Sequence, residues 1–332
     1  MNVGLDATPL TVETGGIRRY VEELHRALEA EYPEDRFALM SDQREKPKGM
    51  LERRWWSYGV NAAMARGGVE VFHGTDFSVP YRRTRPAVMT VHDLSPWRFG
   101  EASSRVRRRT PWLIRLNRAT LYITPSEAIR REMSEYFRVP MDRIVATPLA
   151  AAEHFRPVEA SRPPERPYFL FVGTVEPRKG LEQILPAVRE VHARTGVELR
   201  VAGRLRQEMR EEPGIRILGA VREDELPGLY SQAMAVVVPS RYEGFGLPVV
   251  EAMSCGAAVL TSRDAALSEA GGEATEKLES VAEWRAALLA AVENPDWRAG
   301  RREASLRRAQ EFSWKRTARL TREVYDEAQR RA

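Results

Sequence analysis

The chain has 332 residues, of which 43% are hydrophobic and 30% charged, and a formal net charge of +5. This length and apolar content fit about two domains with sizeable cores and exclude a disordered chain. No apolar run is long enough to span a bilayer, and the amino terminus meets Asp6 after a short apolar stretch. Neither a membrane helix nor a secretory signal is therefore expected, and the expected compartment is the cytoplasm.

The first strand is predicted at Val3 to Asp6. A loop to Gly15-Gly16 then leads into an amphipathic helix, Ile17 to Glu31, with apolar residues at Ile17, Tyr20, Val21, Leu24 and Leu28. A glycine loop feeding a helix amino terminus offers backbone amides to an anion, but the third position of a dinucleotide fingerprint is missing. Gly16 therefore suits a donor phosphate or an acceptor, and a plain tight turn is the other reading.

Further apolar runs at Phe37 to Met40, Val69 to Phe72, Ala87 to Val91, Leu121 to Thr124 and Ile144 to Thr147 alternate with helix-compatible segments, as in an α/β domain. VMTVHDLS, Val88 to Ser95, places His92 at the carboxyl edge of its strand, where open parallel sheets bind ligands. A lone histidine can equally be structural.

The charge excess is mostly arginine, with only five lysines. Seven arginines against the single acid Glu101 lie between Arg98 and Arg118, with Trp112 and Leu113 among them. A second basic stretch, REKPKGMLERRWWSYG, holds Trp55 and Trp56. Basic residues interleaved with aromatics suit an anionic membrane surface or nucleic acid. A solvated helix face with packed tryptophans is the preferred reading. Peripheral contact with the inner face of a membrane is the alternative, and nucleic acid, for which no fold motif is present, comes last.

HFRPVEASRPPERP, His154 to Pro167, has four prolines and no periodicity, and marks a linker. The expected domains are 1–155 and 168–312, joined by a linker at 156–167 and followed by a closing helix at 313–332. YFLFVG opens the second domain as an apolar strand, and GTVEPRKG, Gly173 to Gly180, precedes a helix from Leu181 to Arg194. That loop nearly matches a phosphate-binding ATPase loop. Arg178 replaces its last glycine, however, and Gly180 replaces its magnesium-binding hydroxyl, so the ATPase reading fails. Arg178 and Lys179 at a helix start instead supply fixed positive charge for a diphosphate.

Strands are expected at Val197 to Ala202 and Ile215 to Leu218, and a helix at Glu223 to Ala233. The most informative stretch is AVVVPSRYEGFGLPVVEAMSCGAAVLTS, Ala235 to Ser262, a strand, loop, helix and strand. Pro248 fits the first helical turn and Gly256 the position just past the last. The loop carries Glu243, Gly244, Phe245 and Gly246, and Glu251 follows on the helix. The helix start favours an anion, and the two carboxylates are suited to sugar hydroxyls on either side of a phosphate. Cys255 stands alone among small residues, which rules out an internal disulfide and suggests packing. An NAD site built on Gly244 and Gly246 with Asp264 fails at Val249, and Pro248 crowds the turn.

Glu243 and Glu251 with GFGLP and EAMSCG in register resemble the signature of retaining glycosyltransferases of family 4. The resemblance implies the α/β GT-B fold: two Rossmann-like domains with a cleft between them and a carboxy-terminal helix, beginning at FSW, that crosses back to the first domain. It implies transfer of a hexosyl group from a nucleoside diphosphate sugar to an acceptor hydroxyl with retained configuration. Glu243 and His92 would be the catalytic residues and, with Gly244 and Phe245, hold the donor sugar. Gly16, Arg178, Lys179, Gly246 and Leu247 would hold the diphosphate, and Gly173, Val221 and Glu251 the nucleoside. No Asp-x-Asp occurs, so no metal and no cofactor is expected. GTVEPRK with SRYEGFGLPVVEAMSCG resembles the mannosyltransferase branch of surface polysaccharide synthesis, which favours GDP-mannose over UDP-sugars and a glycan or lipid-linked acceptor. A sugar-nucleotide-binding protein without turnover is the alternative. Gly180, where many relatives have Asn, and Ser268, where proline is common, depart from the pattern.

Overall fold

The computed structural model describes residues 1–11, 15–100, 104–159 and 164–332. The chain divides into two compact units, Met1–Leu149 with Ser313–Ala332, and Ala150–Phe312.

The first unit runs β1 (Asn2–Asp6), α1 (Gly16–Glu31), β2 (Arg36–Met40), α2 (Val60–Gly67), β3 (Val71–Gly74), β4 (Ala87–Thr90), α3 (Ser95–Arg98), α4 (Ser104–Arg115), β5 (Leu121–Thr124), α5 (Glu127–Phe137) and β6 (Ile144–Ala146). Its strands form one parallel sheet in the order β2-β1-β3-β4-β5-β6. The central strands β3, β4 and β5 are buried along their whole length, which is why most of them read as unbroken apolar runs. On α1, Tyr20, Val21, Leu24 and Leu28 form the buried stripe, each worth roughly 1.5–3 kcal/mol of burial. The strand expected at Val69 to Phe72 starts later and ends at Gly74. Val69 is instead held by the end of α2, its amide donating to the Met64 carbonyl at 2.9 Å.

The second unit runs β7 (Tyr168–Val172), α6 (Leu181–Thr195), β8 (Glu198–Ala202), β9 (Ile215–Gly219), α7 (Leu226–Gln232), β10 (Ala235–Val238), α8 (Leu247–Ser254), β11 (Val259–Ser262), α9 (Ala265–Gly271), β12 (Thr275–Leu278), α10 (Val281–Glu293) and α11 (Pro295–Ala309). Its parallel sheet has the order β12-β11-β10-β7-β8-β9. β12 is an edge strand with polar Glu276 and Lys277 half-buried between Thr275 and Leu278, so it carries no apolar run to betray it. The chain enters this unit at Ala150, ahead of the proline-rich stretch, because Phe155 packs on Tyr230 at 6.0 Å and the Val158 amide donates to Ser231 Oγ at 3.0 Å. Residues 160–163 of the expected linker lie outside the described residues.

The chain then rejoins the first unit as α12 (Trp314–Arg330). Ser313 caps it by accepting from the Arg316 amide, and Thr317 Oγ1 donates to the Pro148 carbonyl at 2.6 Å. Val324, Tyr325 and Ala328 are buried in that unit.

Candidate active site

Within the second unit, β7 and β10 are neighbours, and the strand order turns back between them: α6 leads from β7 one way to β8, while β10 continues the other way to β11. A sheet that reverses at such a point opens a crevice at the carboxyl ends of the two strands. Two turns meet there. The first is Pro177–Lys179 with Gly180, the second the loop from Pro239 to Gly246. The Arg241 amide donates to the Arg178 carbonyl at 2.8 Å, and Arg178 donates to the Tyr242 carbonyl at 3.1 Å. Gly180 has a φ of 62°, and a Cβ there would overlap the Pro239 carbonyl. The approach of the two turns therefore requires glycine at this position.

The charged groups at this edge are paired. Lys179 Nζ donates to Glu243 Oε1 at 2.6 Å, Ser240 Oγ donates to the same oxygen at 2.7 Å, and Arg178 stands 3.6 Å from Oε2. Burial alone would push the Glu243 carboxyl up. The charges of Lys179 and Arg178 and the hydrogen bonds from Lys179 and Ser240 outweigh it and hold the carboxyl below its ordinary value. On its other side Arg178 donates to Glu176 at 2.8 Å, and Arg206 reaches the same carboxylate at 3.2 Å. Three cations thus gather around two buried carboxylates.

Helix α8 begins beside them. Gly246 is its N-cap at φ 96°, where a side chain would run into Leu267, and helix geometry leaves the Leu247 amide without an acceptor inside α8. Glu251, one turn on, is buried and accepts from the Tyr230 hydroxyl at 3.0 Å. The Phe245 ring turns into the core, 4% exposed, and meets Phe312 edge-on at 5.8 Å. Gly173, half-buried at the end of β7, lies against Gly203 past the end of β8, and the Gly203 amide donates to the Gly219 carbonyl at 2.7 Å. Val221 is half-buried in the loop after β9. Burial of Cys255 and the neighbouring Glu251 push its thiol up to about 12, as suits a packing residue.

In the first unit, the expected residues sit at the carboxyl edge of its own sheet. Gly16 opens α1, and residues 12–14 before it lie outside the described residues. His92 follows β4, and its Nε2 donates to the Thr75 carbonyl at 2.8 Å. Two carboxylates that sequence reasoning missed lie at the same sheet edge. Asp6, at the end of β1, is pushed up to about 6 by burial against the opposing hydrogen bonds from Thr8. Asp76 is also raised by burial, against the charges of His92 and Arg109.

The residues missed in the second unit are Glu176, Ser240, Arg206 and Tyr230. Glu176 and Ser240 lie inside the quoted motifs and were legible as strand-end polar groups. Arg206 and Tyr230 reach the site only through the fold.

Proteins of known kind bear on what this framework is. The fold matches sucrose-phosphate synthase from Thermosynechococcus elongatus at a TM-score of 0.75, with 19% identity and 98% of both chains covered. It also matches the Anabaena protein HepE, solved with UDP and glucose, at 0.73, with 16% identity over 97% of this chain and 98% of that one. Two parallel sheets with the site-forming turns described are thus the GT-B fold of glycosyltransferases. Residues 14–150 match the model of Glycosyltransferase Family 4, and residues 166–294 that of Glycosyl transferases group 1. O-antigen chain mannosyltransferase B of Escherichia coli is 34% identical over 281 residues, covering 77% of this chain and 74% of the relative. The MMP alpha-(1->4)-mannosyltransferase of Mycolicibacterium hassiacum is 30% identical over 247 residues, 69% of this chain and 57% of that protein. The chain belongs to the group 1 glycosyltransferases of family 4.

Proposed function

We propose that this glycosyltransferase moves a mannosyl group from GDP-mannose to a hydroxyl of a glycan or lipid-linked acceptor, with the anomeric configuration retained and without a metal ion. The observation that carries the reading is the joining of two turns at one sheet edge, so that Arg178, Lys179 and the start of α8 gather positive charge where a diphosphate would develop its negative charge. Stabilising that charge lowers the barrier more than any other single contribution in such a reaction. Mannose is favoured by the mannosyltransferases among the similar proteins.

In the proposed step the bond from the anomeric carbon to the diphosphate oxygen breaks, and the acceptor oxygen bonds to the same face. The acceptor proton passes to the leaving phosphate. Arg178, Lys179 and the amides of Gly246 and Leu247 receive the diphosphate. Glu243 and the Gly244 and Phe245 backbone take the sugar hydroxyls, Glu251 the ribose, and Gly173 and Val221 the base.

The test is to incubate the purified protein and a mannosyl oligosaccharide acceptor with GDP-mannose or UDP-glucose, with and without chelator, and to follow nucleotide release and the anomeric proton of the product by NMR. Release of GDP, indifference to chelator and an α-linked product are expected. Selective use of the UDP-sugar, loss of activity with chelator or a β-linked product would each overturn the corresponding part.

A further inference from the structure

The structure separates the two basic aromatic stretches that look alike in sequence. Trp55 is buried, in a short π-helix, Trp55–Gly59, with Trp56 packed on Phe72 at 6.3 Å. Trp112 is not packed away: it is 45% exposed on α4, and Leu116 just beyond the helix is 41% exposed. Successive positions on α4 alternate between two sides. Thr110, Leu113 and Ile114 are buried, while Arg107, Arg108, Trp112 and Arg115 face solvent. Arg108, Trp112 and Arg115 are spaced four and three apart, and so lie on one helix face.

This face continues onto neighbouring segments. Tyr81 meets the Trp112 ring edge-on at 5.7 Å, and its amide donates to the Trp56 carbonyl at 2.9 Å. Arg109 lies over the Trp56 ring at 5.4 Å, and Arg82 over the half-exposed Tyr58 at 5.9 Å. Arg82 and Arg83 are exposed beside them. Arg82, Arg83, Arg107, Arg108 and Arg115 enter no ion pair among the described residues. From residue 81 to residue 118 the sequence has ten arginines and two acids, Asp93 and Glu101, of which Glu101 lies outside the described residues.

We infer that this face of the first unit docks on the surface of an anionic lipid bilayer, with the arginines among the headgroups and Trp112 and Leu116 at the acyl boundary. Charge complementarity selects the partner. Guanidinium groups outside ion pairs around an exposed indole and leucine on one helix face match an anionic, partly apolar plane. A groove with stacking platforms, as single-stranded nucleic acid requires, is not what the helix presents. No described helix is long and apolar enough to cross a bilayer, so attachment by this face would be peripheral. The inference does not depend on the donor or the reaction.

The experiment is co-sedimentation of the full chain with vesicles of phosphatidylcholine alone and of phosphatidylcholine mixed with phosphatidylglycerol. Binding to the mixed vesicles only, weakened by salt, is expected. Each arginine near an anionic surface strengthens partitioning roughly fivefold, so Arg107→Gln, Arg108→Gln and Arg115→Gln together should weaken it on the order of a hundredfold. Trp112→Ala with Leu116→Ala should weaken it with less change in salt dependence. Circular dichroism and thermal melting establish that the variants are folded, and brominated lipids should quench wild-type tryptophan emission more than that of Trp112→Phe. The proposal is overturned if the wild type stays in the supernatant with both vesicles, if the triple variant sediments like the wild type, or if that variant loses only retention of single-stranded RNA.

Discussion

Lys179 and Glu243, 64 residues apart in sequence, are joined by a 2.6 Å hydrogen bond at the edge where the sheet of the second unit reverses. The cation proposed to receive a diphosphate is thus already engaged by a carboxylate of the neighbouring turn. A donor must draw Lys179 away from Glu243 or share it. Glu243→Gln removes the competing charge, so nucleoside diphosphate should bind several-fold more tightly while transfer falls by two or more orders of magnitude, as isothermal titration and an initial-rate assay would record. Weaker nucleotide binding by this variant would mean that Glu243 supports the anion site instead of competing for it.

The converse substitution, Lys179→Ala, leaves Glu243 buried with Arg178 as its remaining cation. Loss of one partner of a buried pair costs roughly 3 kcal/mol where nothing compensates, and the nearby Arg178 should reduce that figure. Urea denaturation should show a destabilisation smaller than this, together with a strong loss of donor binding.

Gly180→Ala tests the joining of the turns without touching a charge. The substitution places a side chain at φ 62° against the Pro239 carbonyl. A cost of about 1–3 kcal/mol is expected, with a raised KM for donor. An unchanged melting temperature would show that the two turns can part at little cost.

Tyr230→Phe deletes the hydroxyl that donates to Glu251. Net hydrogen bonds of this kind are worth about 1 kcal/mol. If Glu251 holds the ribose, donor KM should rise several-fold with kcat nearly unchanged, because the variant leaves the reacting atoms alone. A fall in kcat at constant KM would assign Glu251 a different task.

His73 supplies a pH prediction. It is fully buried between Tyr325 and Thr90, each 2.7 Å away, and burial depresses its pKa to about 3, with His92 adding to the effect. The unfolded chain binds a proton below about 6.5 that the folded chain refuses until about pH 3. Stability from this group is therefore complete above pH 6.5 and falls by roughly 1 kcal/mol per unit as the pH drops through that window. His73→Gln should flatten the dependence of urea midpoints between pH 4 and 7, whatever its effect at neutral pH.

The parts of the fold legible in sequence were those built from local pattern. Central strands such as β4 and β10 are apolar because they are covered on both faces, and Pro248 and Gly256 mark the ends of α8 through backbone geometry. Arg178, Lys179 and Glu243 stood out by residue type at strand ends. β12 was not legible, because an edge strand needs few apolar residues, and neither was the end of β3, where a buried histidine interrupts the pattern. Tyr325 satisfies that histidine from 252 positions away, and Tyr230 meets Glu251 across two helices. Such pairings follow from the fold and leave no spacing to read.

The first unit is assembled from two stretches of chain, with its last helix encoded after the whole of the second unit. On the ribosome, residues 150–312 emerge as a continuous segment and can fold on their own schedule. The amino-terminal unit waits, lacking the hydroxyl that Tyr325 gives to His73 and the surface that α12 covers along α1. At ordinary elongation rates that wait lasts roughly ten seconds or more. During it an apolar flank of the nascent protein is open, which makes this interval the natural point for a chaperone to engage.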